Sequence, residues 1–246
     1  MIADFMLRYG SKWVAAGFAL VCLTLLAWML TSPTFRIDRM IVVHDPSSSP
    51  ALLNKTDLLS NLGWVNGKNV FWLDTAKVAE QVEADPAVQW AAVEAGIDGE
   101  LRLVVTYRQP VANWQANGSS YLVGKGAILL AEGSDSSLPL TIHQIEGEPV
   151  KVGQQVNPDA LEMAYKLNRN LPVMGIHPSV IAYSATGGLV IRDNVEREII
   201  FGPPQDLTAK LVGLKAVLDD VARQGEQADR IDLRPLDRPT YKIRDR

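Results

Sequence analysis

Between Trp13 and Leu30 the chain reads WVAAGFALVCLTLLAWML, eighteen residues without a charge and with Thr24 as the only polar side chain. At 1.5 Å rise per residue such a run makes roughly 27 Å of helix, close to the thickness of a bilayer's hydrocarbon core. Trp13 and Trp28 stand near its ends, where indole rings favour the interface, and Thr31, Ser32 and Pro33 then stop the helix. A cleaved signal peptide wants a shorter apolar core and small residues at its cleavage site. Here the flank is Ala27, Trp28, Met29 and Leu30, which is too bulky. A core helix of a soluble protein keeps a polar face, and this one has none. The segment 13–31 is therefore read as an uncleaved transmembrane helix. Arg8 and Lys12 lie ahead of it, Arg36 and Arg39 behind it, and most of the chain follows it. The expectation is a cytoplasmic tail over 1–12 and an extracytoplasmic bulk, single-pass in a cell (inner) membrane.

The rest of the composition is that of a globular protein, with 47% hydrophobic and 21% charged residues. A net charge of −4 speaks against nucleic acid as a partner. Cys22, inside the apolar run, is the only cysteine. The exported part thus has no disulfide, thiolate nucleophile or cysteine metal site, and core packing alone must hold it.

After the helix, Arg36–His44 is rich in β-branched residues and reads as a strand, broken by the Pro46–Pro50 stretch. Asn54 or Thr56 caps a short helix carrying Leu58, Leu59 and Leu62. Asp74 or Thr75 caps a second, with Val78 and Val82 on one face and Pro86 at its end. Val88–Val93 reads as a second strand. In a third, Leu101, Leu103, Val105 and Tyr107 alternate with polar residues, and Gly96–Gly99 makes the hairpin loop. Strand, helix, helix, strand, strand makes a small α+β domain over 36–109, with both helices on one face of the sheet.

From 110 to 246 the pattern is β-rich with two helices. Strands are expected at Tyr121–Val123, Ala127–Leu130, Val180–Ser184, Leu189–Arg192, Glu198–Phe201, Arg230–Arg234 and Thr240–Arg244. Gly187–Gly188 marks a hairpin turn. One helix starts at Asn157–Pro158. The other runs from Asp206 to about Arg223, with Leu207, Leu211, Leu214, Leu218 and Val221 as its apolar stripe.

Signals for chemistry are missing. His44, His143 and His177 are far apart, with no metal-ligand spacing. Val123–Gly126 lacks the residues of a phosphate loop and reads as a turn. Asp219-Asp220 and Glu196/Glu198 read as solvated faces rather than catalytic pairs. No enzyme, cofactor, metal or small-molecule substrate is expected.

Several local motifs, taken in order behind the apolar helix, resemble the FtsQ/DivIB family of bacterial division proteins. Gly67-Lys68-Asn69-Val70-Phe71 resembles the family's step into the second helix of its POTRA domain. Asp85-Pro86-Ala87-Val88 with Ala92-Val93 resembles its entry into the second strand. Arg108-Gln109-Pro110-Val111-Ala112 resembles its domain junction. Leu138-Pro139, Gly153 and Ile231-Asp232-Leu233-Arg234 resemble landmarks of its second domain. Tyr107, Gly124 and Pro235 depart from the family pattern, Pro235 where an aromatic commonly follows the late arginine.

The resemblance implies a bitopic scaffold with a POTRA domain over 36–109 and a β-rich domain over 110–246. It would sit at the division septum and regulate septal wall synthesis. The implied partners are other division proteins, chiefly small bitopic coiled-coil proteins of the FtsB/DivIC and FtsL types. In the family the late strand is an open edge to which a partner adds its own strand. That points to Arg234, Thr240, Tyr241, Lys242, Ile243 and Arg244 as partner-binding residues. Tyr241 replaces the missing aromatic, and Arg234 and Arg244 meet acidic groups. The competing readings are a membrane-anchored POTRA accessory of secretion or outer-membrane assembly, and an exported hydrolase with an unrecognised site.

Overall fold

The computed structural model describes residues 2–44 and 59–244. The chain divides into two compact units, Met1–Tyr107 and Arg108–Arg246.

The first unit opens with helix α1, Ile2–Thr31. The residues read as a tail continue the same helix, since no proline interrupts them. Among the described residues one stretch is long and apolar enough to cross a membrane, Val14–Thr31, and none of it is buried within the protein. Ser32 then accepts a hydrogen bond from the Thr34 amide and starts a 3-10 turn over Pro33–Phe35.

Strand β1 (Arg39–His44) starts three residues later than expected, because Arg36 bridges to Asn69 instead of joining the sheet. Helix α2 (Thr75–Glu83) is capped by Asp74, whose carboxylate accepts the Lys77 amide. Strands β2 (Val88–Ala95) and β3 (Glu100–Tyr107) form the expected hairpin. β3 is central, parallel to β1 and antiparallel to β2. The first of the two expected helices begins on residues 45–58, outside those described, and residues 59–61 are helical. Val78 and Val82 of α2 meet Leu101, Leu103 and Val105 of β3 in one core, as their spacing predicts.

The second unit is a nine-stranded mixed sheet. Its strands are β4 (Pro110–Ala116), β5 (Ser119–Gly124), β6 (Leu129–Glu132), β7 (Thr141–Glu146), β8 (Pro178–Ser184), β9 (Gly188–Asp193), β10 (Glu198–Gly202), β11 (Ala228–Asp232) and β12 (Thr240–Ile243). They lie in the order β12-β11-β10-β9-β8-β7-β4-β5-β6. Helices α3 (Pro158–Asn170) and α4 (Leu207–Arg223) share one core with the sheet. Asn157 caps α3 through the Ala160 amide, with Pro158 at the first helical position. β4 and β7 are additions to the expected strands. On α4 the buried seam runs through Lys210, Leu214, Val217 and Val221, while Leu207, Leu211 and Leu218 flank it half-buried. Lys210 lies in that seam because its ammonium donates to the Pro203 carbonyl at 2.6 Å, which meets its charge while the stem fills the core.

Candidate functional site

The last strands of the second unit are built around Ile231, which is fully buried on β11. β11 runs parallel to β10, so α4 is the crossover between them. A turn between Pro235 and Pro239, closed by the Arg238 amide on the Pro235 carbonyl, brings the chain back as β12. β12 is antiparallel to β11, pairing Asp232 with Thr240, Ile231 with Tyr241 and Arg230 with Lys242, with a bulge between Ala228 and Arg230. β12 ends the sheet. Among the described residues no strand lies on its other side. One row of its backbone N–H and C=O groups therefore faces away from the fold, the geometry that accepts a further strand.

The strand splits as its period of two predicts. Thr240 and Lys242 are exposed, while Tyr241 and Ile243 are half-buried on the other face. Tyr241 is held more firmly than a free aromatic anchor would be. Its ring packs on the core, and its hydroxyl donates to Asp220 Oδ2 at 2.7 Å and accepts from Gln224 Nε2 at 2.8 Å. The Asp220 carboxylate accepting that proton raises the phenol above its ordinary pKa. Asp220, read from sequence as a solvated face, is thus the group that ties β12 to α4.

The two arginines have partners within the chain. Arg234 is engaged within the chain, its Nε 2.9 Å from Asp232 Oδ1 and its Nη2 on Oδ2. The aspartate is held below the usual carboxylate range, chiefly by that hydrogen bond. Gly202 makes room for the arginine stem. It sits at φ +72°, and a Cβ there would lie 2.7 Å from Arg234 Cγ. Arg244 donates to the Val195 carbonyl at 2.6 Å and lies 3.5 Å from Asp229. Both guanidinium groups therefore have acceptors inside the chain, and an incoming acid must compete with them. Asp232 was legible as a partner, since i and i+2 share a strand face. Asp229 follows from the bulge and was not.

Among the described residues no group of three or more His, Cys, Asp or Glu side chains is placed to hold a metal. A hollow of about 590 Å³ beside α3 is mainly apolar and lined by Val111, Leu161 and Tyr165. At its rim Glu162 pairs with Lys166 at 2.6 Å.

An apolar helix leading into an α+β body that ends in an open strand edge defines a membrane-anchored protein of mixed fold. No family model matches the chain. Over 241 residues it is 29% identical to the cell division protein FtsQ of Chloroflexus aggregans, covering 97% of this chain and 84% of that protein. The corresponding protein of Chloroflexus aurantiacus is 27% identical over the same shares. Along nearly its whole length the chain is thus similar to proteins named cell division protein FtsQ.

Proposed function

We propose that this protein is a bitopic scaffold of the bacterial division machinery that works by binding rather than by chemistry. Residues 36–109 serve as a POTRA domain and 110–246 as the family's β-rich domain, both outside the cytoplasm. The edge of β12 takes a strand from a small bitopic coiled-coil partner of the FtsB/DivIC or FtsL type, and through it septal wall synthesis is regulated. The observation that carries this reading is the open edge of β12. Its backbone supplies the pairing groups over Thr240–Ile243. Thr240 and Lys242 present one face to the added strand, and the fixed ring of Tyr241 presents the other. Arg234 and Arg244 flank the site.

A photo-activated cross-linking side chain in place of Lys242 tests it in dividing cells. The expected product is a covalent adduct with a short coiled-coil membrane protein, and the same probe at Glu162, on α3, gives none. Adducts from position 162 alone would move the site to that helix. Orientation has its own test. A reporter active only outside the cytoplasm is expected to be active when fused after Arg246, and an inactive but well-expressed fusion would reverse the topology.

A further inference from the structure

The end of α1 and the loop before α2 are joined in a way that fixes one surface at a known depth. The last carbonyls of a helix lack partners inside it. Here the Asn69 side-chain amide donates to both Met29 O and Leu30 O, each at 3.1 Å, and the Trp72 indole N–H donates to Leu30 O at 3.3 Å. The other atom of the Asn69 amide accepts the Phe71 N–H at 2.9 Å and starts the 3-10 turn Val70–Trp72. Trp28, Phe35 and Phe71 stack edge to face in series, with centroids 5.7 and 5.3 Å apart. The connection itself is held on both sides. Ile37 N donates to Lys68 O at 2.9 Å, Gly67 N to Ile37 O at 2.8 Å, and Asp38 N to Gly99 O at 3.0 Å.

This joint leaves large apolar side chains uncovered: Trp28 is 56% exposed, Phe71 41% and Trp72 68%. Scattered exposed side chains need no explanation, whereas a contiguous aromatic patch does. Trp72 is bonded to the backbone at Leu30, one residue before the end of the apolar span Val14–Thr31. Those 18 residues measure about 27 Å as a helix, so Leu30 stands at the boundary between hydrocarbon and headgroups. An indole prefers that layer, since its ring is apolar and its edge is wet.

We infer that the aromatic surface Trp28–Phe35–Phe71–Trp72 is a second membrane contact, seated in the headgroup layer of the bilayer that α1 crosses. The inference rests on the reading of α1 as a membrane anchor. The nearby charges are mixed, with Arg36, Arg39 and Lys68 against Asp38 and Asp98, so the occupant is the neutral interface and not a patch of acidic lipid. Membrane attachment is thus made twice, by the helix and by the loop bonded to its end.

Depth measurement on the full chain in phosphatidylcholine nanodiscs tests this. With Cys22→Ser, the chain accepts single nitroxide labels at Phe18→Cys, Trp72→Cys or Trp90→Cys. Trp90 is exposed and pairs with Thr106, at the end of β3 away from Gly99. The label at 18 should collide with oxygen and scarcely with a nickel chelate. The label at 90 should show the reverse. At 72, nickel collisions should be several-fold fewer than at 90. A companion measurement keeps the native residues: quenching by brominated lipid should fall with Trp72→Phe and stay unchanged with Trp90→Phe. Equal nickel access at 72 and 90, with 18 buried in lipid, overturns the interfacial seat alone. A label at 18 open to nickel overturns the anchor itself.

Discussion

Val78→Asp is expected to abolish the cooperative unfolding transition of the first unit, and Val105→Asp to do the same from the other side of the core. Both valines are fully buried, one on α2 and the other on the central strand β3. Among the described residues of the first unit no basic side chain is buried. An unpaired carboxylate there costs several kcal/mol, whether it stays charged or takes up a proton. The whole stability of a small domain is on the order of 5–15 kcal/mol, so one such change consumes most of it. Ala76→Asp, on the exposed first turn of α2, is the matched control and should leave the midpoint unchanged or slightly higher. Hydrogen exchange of the β3 amides in the full chain reports the result without help from the second unit. Native protection in Val78→Asp would mean that α2 presents a different face to the sheet.

Removing Thr240–Arg246 should eliminate partner capture, the second large effect. The deletion takes away β12 and with it the backbone groups of the proposed binding edge. It also uncovers β11 and frees Asp220 and Gln224 from Tyr241, so some loss of stability is expected. Tyr241→Phe separates the two consequences. It keeps the ring and the strand, loses the hydroxyl's bonds to α4, and should retain capture. Full capture by the deleted chain, measured from detergent-solubilised membranes, would place the binding edge elsewhere.

The sequence was most informative where one period dominated. Leu101, Leu103 and Val105 alternate without interruption, and each is fully buried. Asn157-Pro158 marked the start of α3 to the residue, because a cap and a proline fix it from both sides. β4 was hidden by polar residues that the fold pairs internally. Asn113 is buried with its amide on the Asp135 backbone, and the Trp114 indole donates to Gln144. β7 was hidden in the same way, since it needs β4 and β8 as parallel neighbours to become a strand at all. At the candidate site the edge strand and its two faces were legible. The groups that occupy Tyr241, Arg234 and Arg244 were less so, because several come from distant segments: Asp220 on α4, Gln224 just past its end, Val195 on the turn after β9.

The joint between α1 and the first unit has a mechanical consequence. A flexible tether would let the folded body swivel freely over the membrane. Here residues 32–38 are bonded on both flanks, and the helix end is gripped by Asn69 and Trp72. Tilt or axial rotation of α1 therefore turns the first unit with it, as a handle turns with its shaft. A neighbouring membrane helix that rotates α1 exerts torque on a folded body outside the lipid, and a load on that body is felt as tilt within the bilayer.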